Sequence, residues 1–212
     1  MKRKETPMQR NARLWNLLEW GYCILIAILL ALVIRMYVGT TVEVQQTSMI
    51  PTLEQGEKLI IDRRNKKEIY NYERGNLVIF EAPKEQTVYT TQIAPYQEKK
   101  GIWENFVHSV LEIQKTSYVK RLIALPGETV SIQNNQVYIN GQVLEENYIT
   151  SNVITEGRTF HKVTVPENCV FVMGDNRQGS LDSRDFGFIP AEKLEGKVWI
   201  RLLPFSKIGN IE

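Results

Sequence analysis

The chain has 212 residues, 43% hydrophobic and 24% charged, enough apolar content for a core of one domain, or one domain with a subdomain, and too much charge for a polytopic membrane protein. Its formal net charge of +2 is too near zero to suggest a nucleic-acid partner. Two cysteines, Cys23 and Cys169, and two histidines, His108 and His161, suit neither a disulfide framework nor a zinc site, and no cofactor is implied.

The charge is unevenly placed. Residues 1–13 hold five Lys/Arg against Glu5 alone, which leaves the rest of the chain at −2. Residues 20–34 carry no charge, and extending the stretch to 15–38 takes in Glu19 and Arg35. At about 1.5 Å per residue the longer stretch spans roughly 36 Å, against a bilayer core of about 30 Å. Trp15, Trp20 and Tyr37 flank it as interfacial aromatics do. The following residues, Arg35-Met36-Tyr37-Val38-Gly39-Thr40-Thr41, offer no small-x-small cleavage site, which argues against a removable signal peptide. The expectation is a basic cytoplasmic tail (1–13), a single transmembrane anchor (14–38) and an extracytoplasmic body (39–212).

From Thr41 the pattern is mainly β. Val42 and Val44 alternate with polar neighbours, and residues 58–62, 76–80 and 118–125 are short apolar runs bounded by Gly, Pro or charge. Residues 129–133 and 136–139 read as a hairpin about Asn134-Asn135, and Asn140-Gly141 makes a second turn. Residues 129–166 form a smaller β subdomain in this reading, and 197–203 a closing strand. An insert over 88–117 breaks the pattern. Within it, residues 101–114 place Ile102, Phe106, Val110 and Ile113 at helical spacing. That helix packs on the sheet in the simpler reading and lies at the membrane interface in the other.

Three polar motifs stand out within this β framework: Ser48-Met49-Ile50-Pro51-Thr52-Leu53, Tyr118-Val119-Lys120-Arg121 before Leu125-Pro126-Gly127-Glu128, and the loop Gly174-Asp175-Asn176-Arg177-Gln178-Gly179-Ser180-Leu181-Asp182-Ser183-Arg184-Asp185-Phe186-Gly187. With the preceding apolar segment, their order and spacing resemble the type I signal peptidases, and the absence of a disulfide framework suits the compact Gram-positive members. The resemblance implies an antiparallel β-sheet catalytic body with a smaller β subdomain behind one N-terminal transmembrane helix. It implies Ser48 as nucleophile and Lys120 as general base, the lysine having lost its charge through burial. By the same resemblance Ser180 orients the lysine amine, Asp182 and Arg184 pair to shape the site, Gly174 permits close backbone approach, and Met49 and Pro51 help form the substrate surface.

The oxyanion donors expected from the resemblance are the Ser48 amide and a group at Gln46, where relatives often carry a hydroxyl. Asn76 and Glu128 stand where relatives often carry Asp. Preprotein signal peptides and the lipid bilayer are the implied partners, nucleic acid is not, and the chain is expected to act as a monomer.

Three other readings compete with this one. A Ser-His-Asp triad would need His108 or His161, neither in a recognisable motif. A self-cleaving repressor protease would carry a DNA-binding module where this chain has its apolar segment. A non-catalytic accessory protein for pilin or secretion assembly remains the alternative to an active peptidase, and both retained residues of the dyad speak against it.

Overall fold

The computed structural model describes residues 7–64, 66–84, 92–96, 101, 116–150, 153–157 and 161–211. The apolar helix expected over 101–114, within the 88–117 insert, lies outside the described residues except for Gly101, and so does His108. The chain divides into two compact units, Met1–Val38 and Gly39–Glu212.

The first unit is built on one helix, α1 (Pro7–Tyr37), which continues N-terminally of the predicted anchor. Its Trp15–Arg35 stretch has a mean hydropathy of 2.5, and none of it is buried. Apolar side chains left bare over 21 residues have no protein core to enter, and this helix is long and apolar enough to cross a membrane. Cys23 lies exposed on it, while Cys169 is buried in the second unit, both as free thiols.

The second unit contains eleven strands among the described residues: β1 (Gly39–Glu43), β2 (Lys58–Asp62), β3 (Leu77–Glu81), β4 (Ser117–Ala124), β5 (Thr129–Gln133), β6 (Gln136–Ile139), β7 (Gln142–Val143), β8 (Lys162–Thr164), β9 (Cys169–Met173), β10 (Ile189–Pro190) and β11 (Leu194–Leu203). Seven form an antiparallel sheet in the order β1-β2-β11-β3-β4-β9-β10, and four form a smaller sheet, β7-β6-β5-β8. Both predicted hairpin turns occur, with positive φ at Asn134 and Asn135 and again at Asn140 and Gly141, the geometry that two-residue hairpin loops demand. His161 is exposed just before β8.

The alternation of side chains along the strands sorts them into three apolar clusters. On β9, Cys169, Phe171 and Met173 point into a core shared with Val130, Ile132 and Val137 of the small sheet. The intervening Val170 and Val172 point the other way, to Phe80, Leu122 and Phe186. Across β3 and β4 the same alternation separates that second cluster from a third, in which Leu77 packs with Val44, Met49, Leu53 and Leu59. Strand β4 therefore borders every cluster, and its polar pair Lys120-Arg121 is carried into the interior from both faces of one strand.

Candidate active site

Two loops and one strand build the site. The first loop is the turn that follows β1. It is closed by hydrogen bonds from the Ile50 amide to the Thr47 carbonyl (3.2 Å) and from the Leu53 amide to the Met49 carbonyl (2.9 Å). Met49 and Leu53 are fully buried in the third cluster and pin the turn, so Ser48 is held at its edge, outside any strand. Met49 is turned into the apolar cluster and Pro51 lies exposed after a cis Ile50–Pro51 bond, and neither of the two lines the groove beside Ser48.

Lys120 comes from β4, where it pairs with Val78 of β3. Its side chain is 1% exposed, its ammonium lies 5.5 Å from the Tyr118 ring centroid, and its Nζ stands 2.5 Å from the Ser48 Oγ in a hydrogen bond. Burial penalises the ammonium form. The charges of Asp182, Asp175 and Asp185 favour it, Arg184 opposes it, and the net result is a pKa pulled down to about 8. Part of the amine is then neutral near physiological pH, and the Nζ that donates to Ser48 Oγ can give up that proton and accept one from the hydroxyl instead. That is the requirement for a lysine to act as a base.

The second loop, residues 174–187, closes over this pair. Gly174 is pressed against it so tightly that a Cβ there would lie 2.5 Å from the Ser48 carbonyl oxygen and 2.5 Å from the Ser180 Cβ, and closer still to the Ser180 hydroxyl. Only glycine leaves that space. Its amide donates to Asp182 Oδ2 at 3.0 Å. Asp182 takes a bidentate grip from Arg184 (2.8 Å from both Nε and Nη2) and caps the short helix α2 (Ser183–Phe186), while its own amide donates to Asp185 Oδ2. Burial pushes the Asp182 carboxyl up, but Arg184, the Gly174 amide and the Ser180 hydroxyl outweigh it and hold the pKa below the usual range. Ser180 therefore meets Asp182 as well as the Gly174 surface beside the dyad. The two loops are tied together, with the Asn176 amide donating to the Ser48 carbonyl (3.1 Å) and its side chain to the Thr47 carbonyl (3.2 Å).

Several partners in this site went unassigned at the sequence level. Arg121, next to Lys120, is as deeply buried, and Asp175 accepts from its Nε at 2.9 Å and from its Nη2 at 2.7 Å. Asp175 also takes the Thr52 hydroxyl at 2.5 Å, and Tyr148 lies 3.8 Å over the Arg121 guanidinium. Arg177 is buried against Glu146 and Thr155, which lie far away in sequence. Asn76 and Glu128 fall outside the site. Asn76 accepts the Glu73 amide in a turn, and Glu128 accepts from Arg74 and from the Leu125 amide.

Ser48 opens onto a groove of about 310 Å³. Val42, Val44 and Gln46 form one wall, Ser117, Tyr118 and Val119 the other, and Leu59 and Ile79 line it between them. Gln46 is exposed and lines the same groove as Ser48. Among the described residues, no cluster of His, Cys, Asp and Glu could hold a metal ion.

The chain is 33% identical over 208 residues to the "Probable signal peptidase I-2" of Synechocystis, covering 98% of this chain and 81% of that one. It is 35% identical over 206 residues to the signal peptidase I of Bacillus licheniformis, covering 93% and 94%. A solved signal peptidase I from Enterococcus faecalis is 29% identical, with a TM-score of 0.39 over 59% of this chain and 95% of that one. The family profile described as signal peptidase, peptidase S26, matches residues 17–203, and with these relatives it places the chain in the signal peptidase family.

Proposed function

We propose that this protein is a membrane-anchored serine endopeptidase that removes signal peptides from exported preproteins, cutting after small-x-small sites, with Ser48 as nucleophile and Lys120 as general base. The observation that carries the reading is the 2.5 Å contact between a serine hydroxyl and a buried lysine whose charge is disfavoured. The neutral amine accepts the Ser48 proton as Oγ attacks the scissile carbonyl. The Ser48 amide and Gln46 stabilise the resulting oxyanion. The lysine then gives its proton to the leaving amine, yielding an acyl-enzyme, and afterwards draws a proton from the water that hydrolyses it.

The substrate enters as an extended strand between residues 42–46 and 116–119, where main-chain pairing tolerates varied sequence and the apolar floor admits small side chains. The basic N-terminus stays in the cytoplasm, α1 spans the bilayer, and the β body stands on the outer side. One chain supplies every residue named, so a monomer suffices. The accessory-protein reading fits less well, because an assembled, charge-depleted Ser-Lys pair has no purpose in a protein that only binds.

The test is cleavage of a preprotein with an Ala-x-Ala site by the full-length protein, beside Ser48→Ala and Lys120→Ala. The expected result is a cut after the second Ala by the wild type alone. A wild type that binds preproteins without cutting them, or an active Lys120→Ala, would overturn the reading.

A further inference from the structure

Residues 144–148 leave the small sheet after β7 and return towards the catalytic loop, bringing Glu146 and Tyr148 against two buried arginines. The Glu146 carboxylate accepts from both terminal nitrogens of Arg177, from Nη2 at Oε1 and from Nη1 at Oε2 (3.2 Å). The third guanidinium nitrogen, Nε, donates to the Gly174 carbonyl at 3.0 Å. The Arg177 carbonyl in turn accepts from Arg184 Nη2 at 2.7 Å, and Arg184 grips Asp182. Gly174 is thus held by its amide through Asp182 and by its carbonyl through Arg177, and its α-carbon rests on the Ser48 carbonyl.

Tyr148 reaches the other side of the same loop. Its hydroxyl donates to Glu146 Oε1 at 2.7 Å, and burial, reinforced by the Glu146 charge, holds the phenol protonated so that it remains a donor. Its ring covers the Arg121 guanidinium, which fixes Asp175, which takes the Thr52 hydroxyl four residues after the nucleophile.

We propose that Glu146 and Tyr148 are positioning residues for the Ser48–Lys120 pair, Glu146 acting through Arg177 on the Gly174 backbone and Tyr148 through the hydroxyl that orients the Glu146 carboxylate. The inference rests on the peptidase reading above. A fully buried arginine needs a counter-charge to keep its orientation. Without the Glu146 charge the guanidinium turns towards another acceptor, and the Gly174 carbonyl loses its donor. Reacting atoms must be held to a fraction of an ångström, so a small shift of Gly174 slows the chemical step without changing how the groove binds its substrate. Neither residue lines the groove.

The experiment measures kcat and KM on a preprotein for the full-length wild type, Glu146→Gln and Tyr148→Phe, with the unfolding temperature of each. Glu146→Gln keeps the shape and removes the charge, and Tyr148→Phe keeps the ring over Arg121 and removes one hydrogen bond. The expected result is a kcat lowered about tenfold or more for Glu146→Gln and a few-fold for Tyr148→Phe, with KM within about twofold of wild type and both proteins folded at the assay temperature. Unchanged kcat in either folded variant overturns the proposal, as does a rise in KM alone, which would make the segment a substrate contact. If Glu146→Gln does not fold, the Tyr148→Phe result decides. An inert wild type refutes the peptidase reading instead, whereas an active wild type with indifferent variants refutes only this inference.

Discussion

Lys120 and Arg121 are neighbours on one strand, both almost wholly buried, and the two sides of β4 treat their charges in opposite ways. On the Lys120 side the closest polar partner is a serine hydroxyl, an aromatic ring lies nearby, and the carboxylates that could balance the charge act at a distance or are already engaged. The ammonium form is penalised, and the pKa falls to about 8. On the Arg121 side a carboxylate accepts two hydrogen bonds, and an aromatic ring and a backbone carbonyl complete the shell. An arginine cannot shed its proton, so the fold must supply the opposite charge. Burial alone therefore does not make a cation reactive. The outcome depends on whether a counter-charge is buried with it and on whether the side chain can become neutral.

If this contrast is right, substitutions on the lysine side change rate and those on the arginine side change stability. The largest effect is expected for Ser48→Ala and Lys120→Ala, each lowering kcat by about 10³-fold or more, with the double variant hardly worse than either alone because the pair acts as a unit. Single-turnover assays would show this, and additive losses would break the idea of one coupled dyad. Arg121→Met leaves Asp175 charged and unpaired in the interior, and should cost about 3–5 kcal/mol of unfolding free energy in denaturant titrations. A loss of activity without loss of stability would move Arg121 to the chemical side of the comparison.

The pH dependence sharpens it next. Lys120 has a folded pKa of about 8 against 10.5 for an ordinary lysine, so the folded state binds fewer protons between those values. Stability is therefore lowest below about pH 8 and rises from there towards pH 10.5, by roughly 3 kcal/mol at most for this one group. That rise should vanish in Lys120→Met, while kcat/KM of the wild type climbs through an apparent pKa near 8. The smallest change is expected for Asn176→Ala, which removes two exposed hydrogen bonds, one to the Thr47 carbonyl and one from the Gly179 amide, and should lower stability by about 1 kcal/mol, with a few-fold effect on kcat.

Much of the framework was legible in the residues. The alternating apolar runs marked β2, β5 and β6 with the bounds the structure shows, and the Asn-rich turns marked both hairpins, because side-chain period and turn backbone are local properties. Strand β11 starts three residues before its predicted onset, since Glu195 and Gly196 are carried into the sheet at a register shift against β3 that no local pattern announces. At the site, the Ser48 and Lys120 motifs were visible, but their contact joins residues 72 apart. Glu146, Tyr148 and Thr155 gave no signal, because an isolated Glu or Tyr in a loop looks solvated until a distant arginine is folded against it.

The sequence by itself determined the apolar helix and the β character of the body, which follow from composition and short-range periodicity, and its resemblance to a family pointed to Ser48 and Lys120. Only the tertiary structure decided which of the two buried cations on β4 has a carboxylate against it. A pKa depends on what lies within a few ångströms in three dimensions, and on β4 that surrounding is supplied by the nucleophile turn, the catalytic loop and the segment leaving the small sheet, three stretches separated from it along the chain.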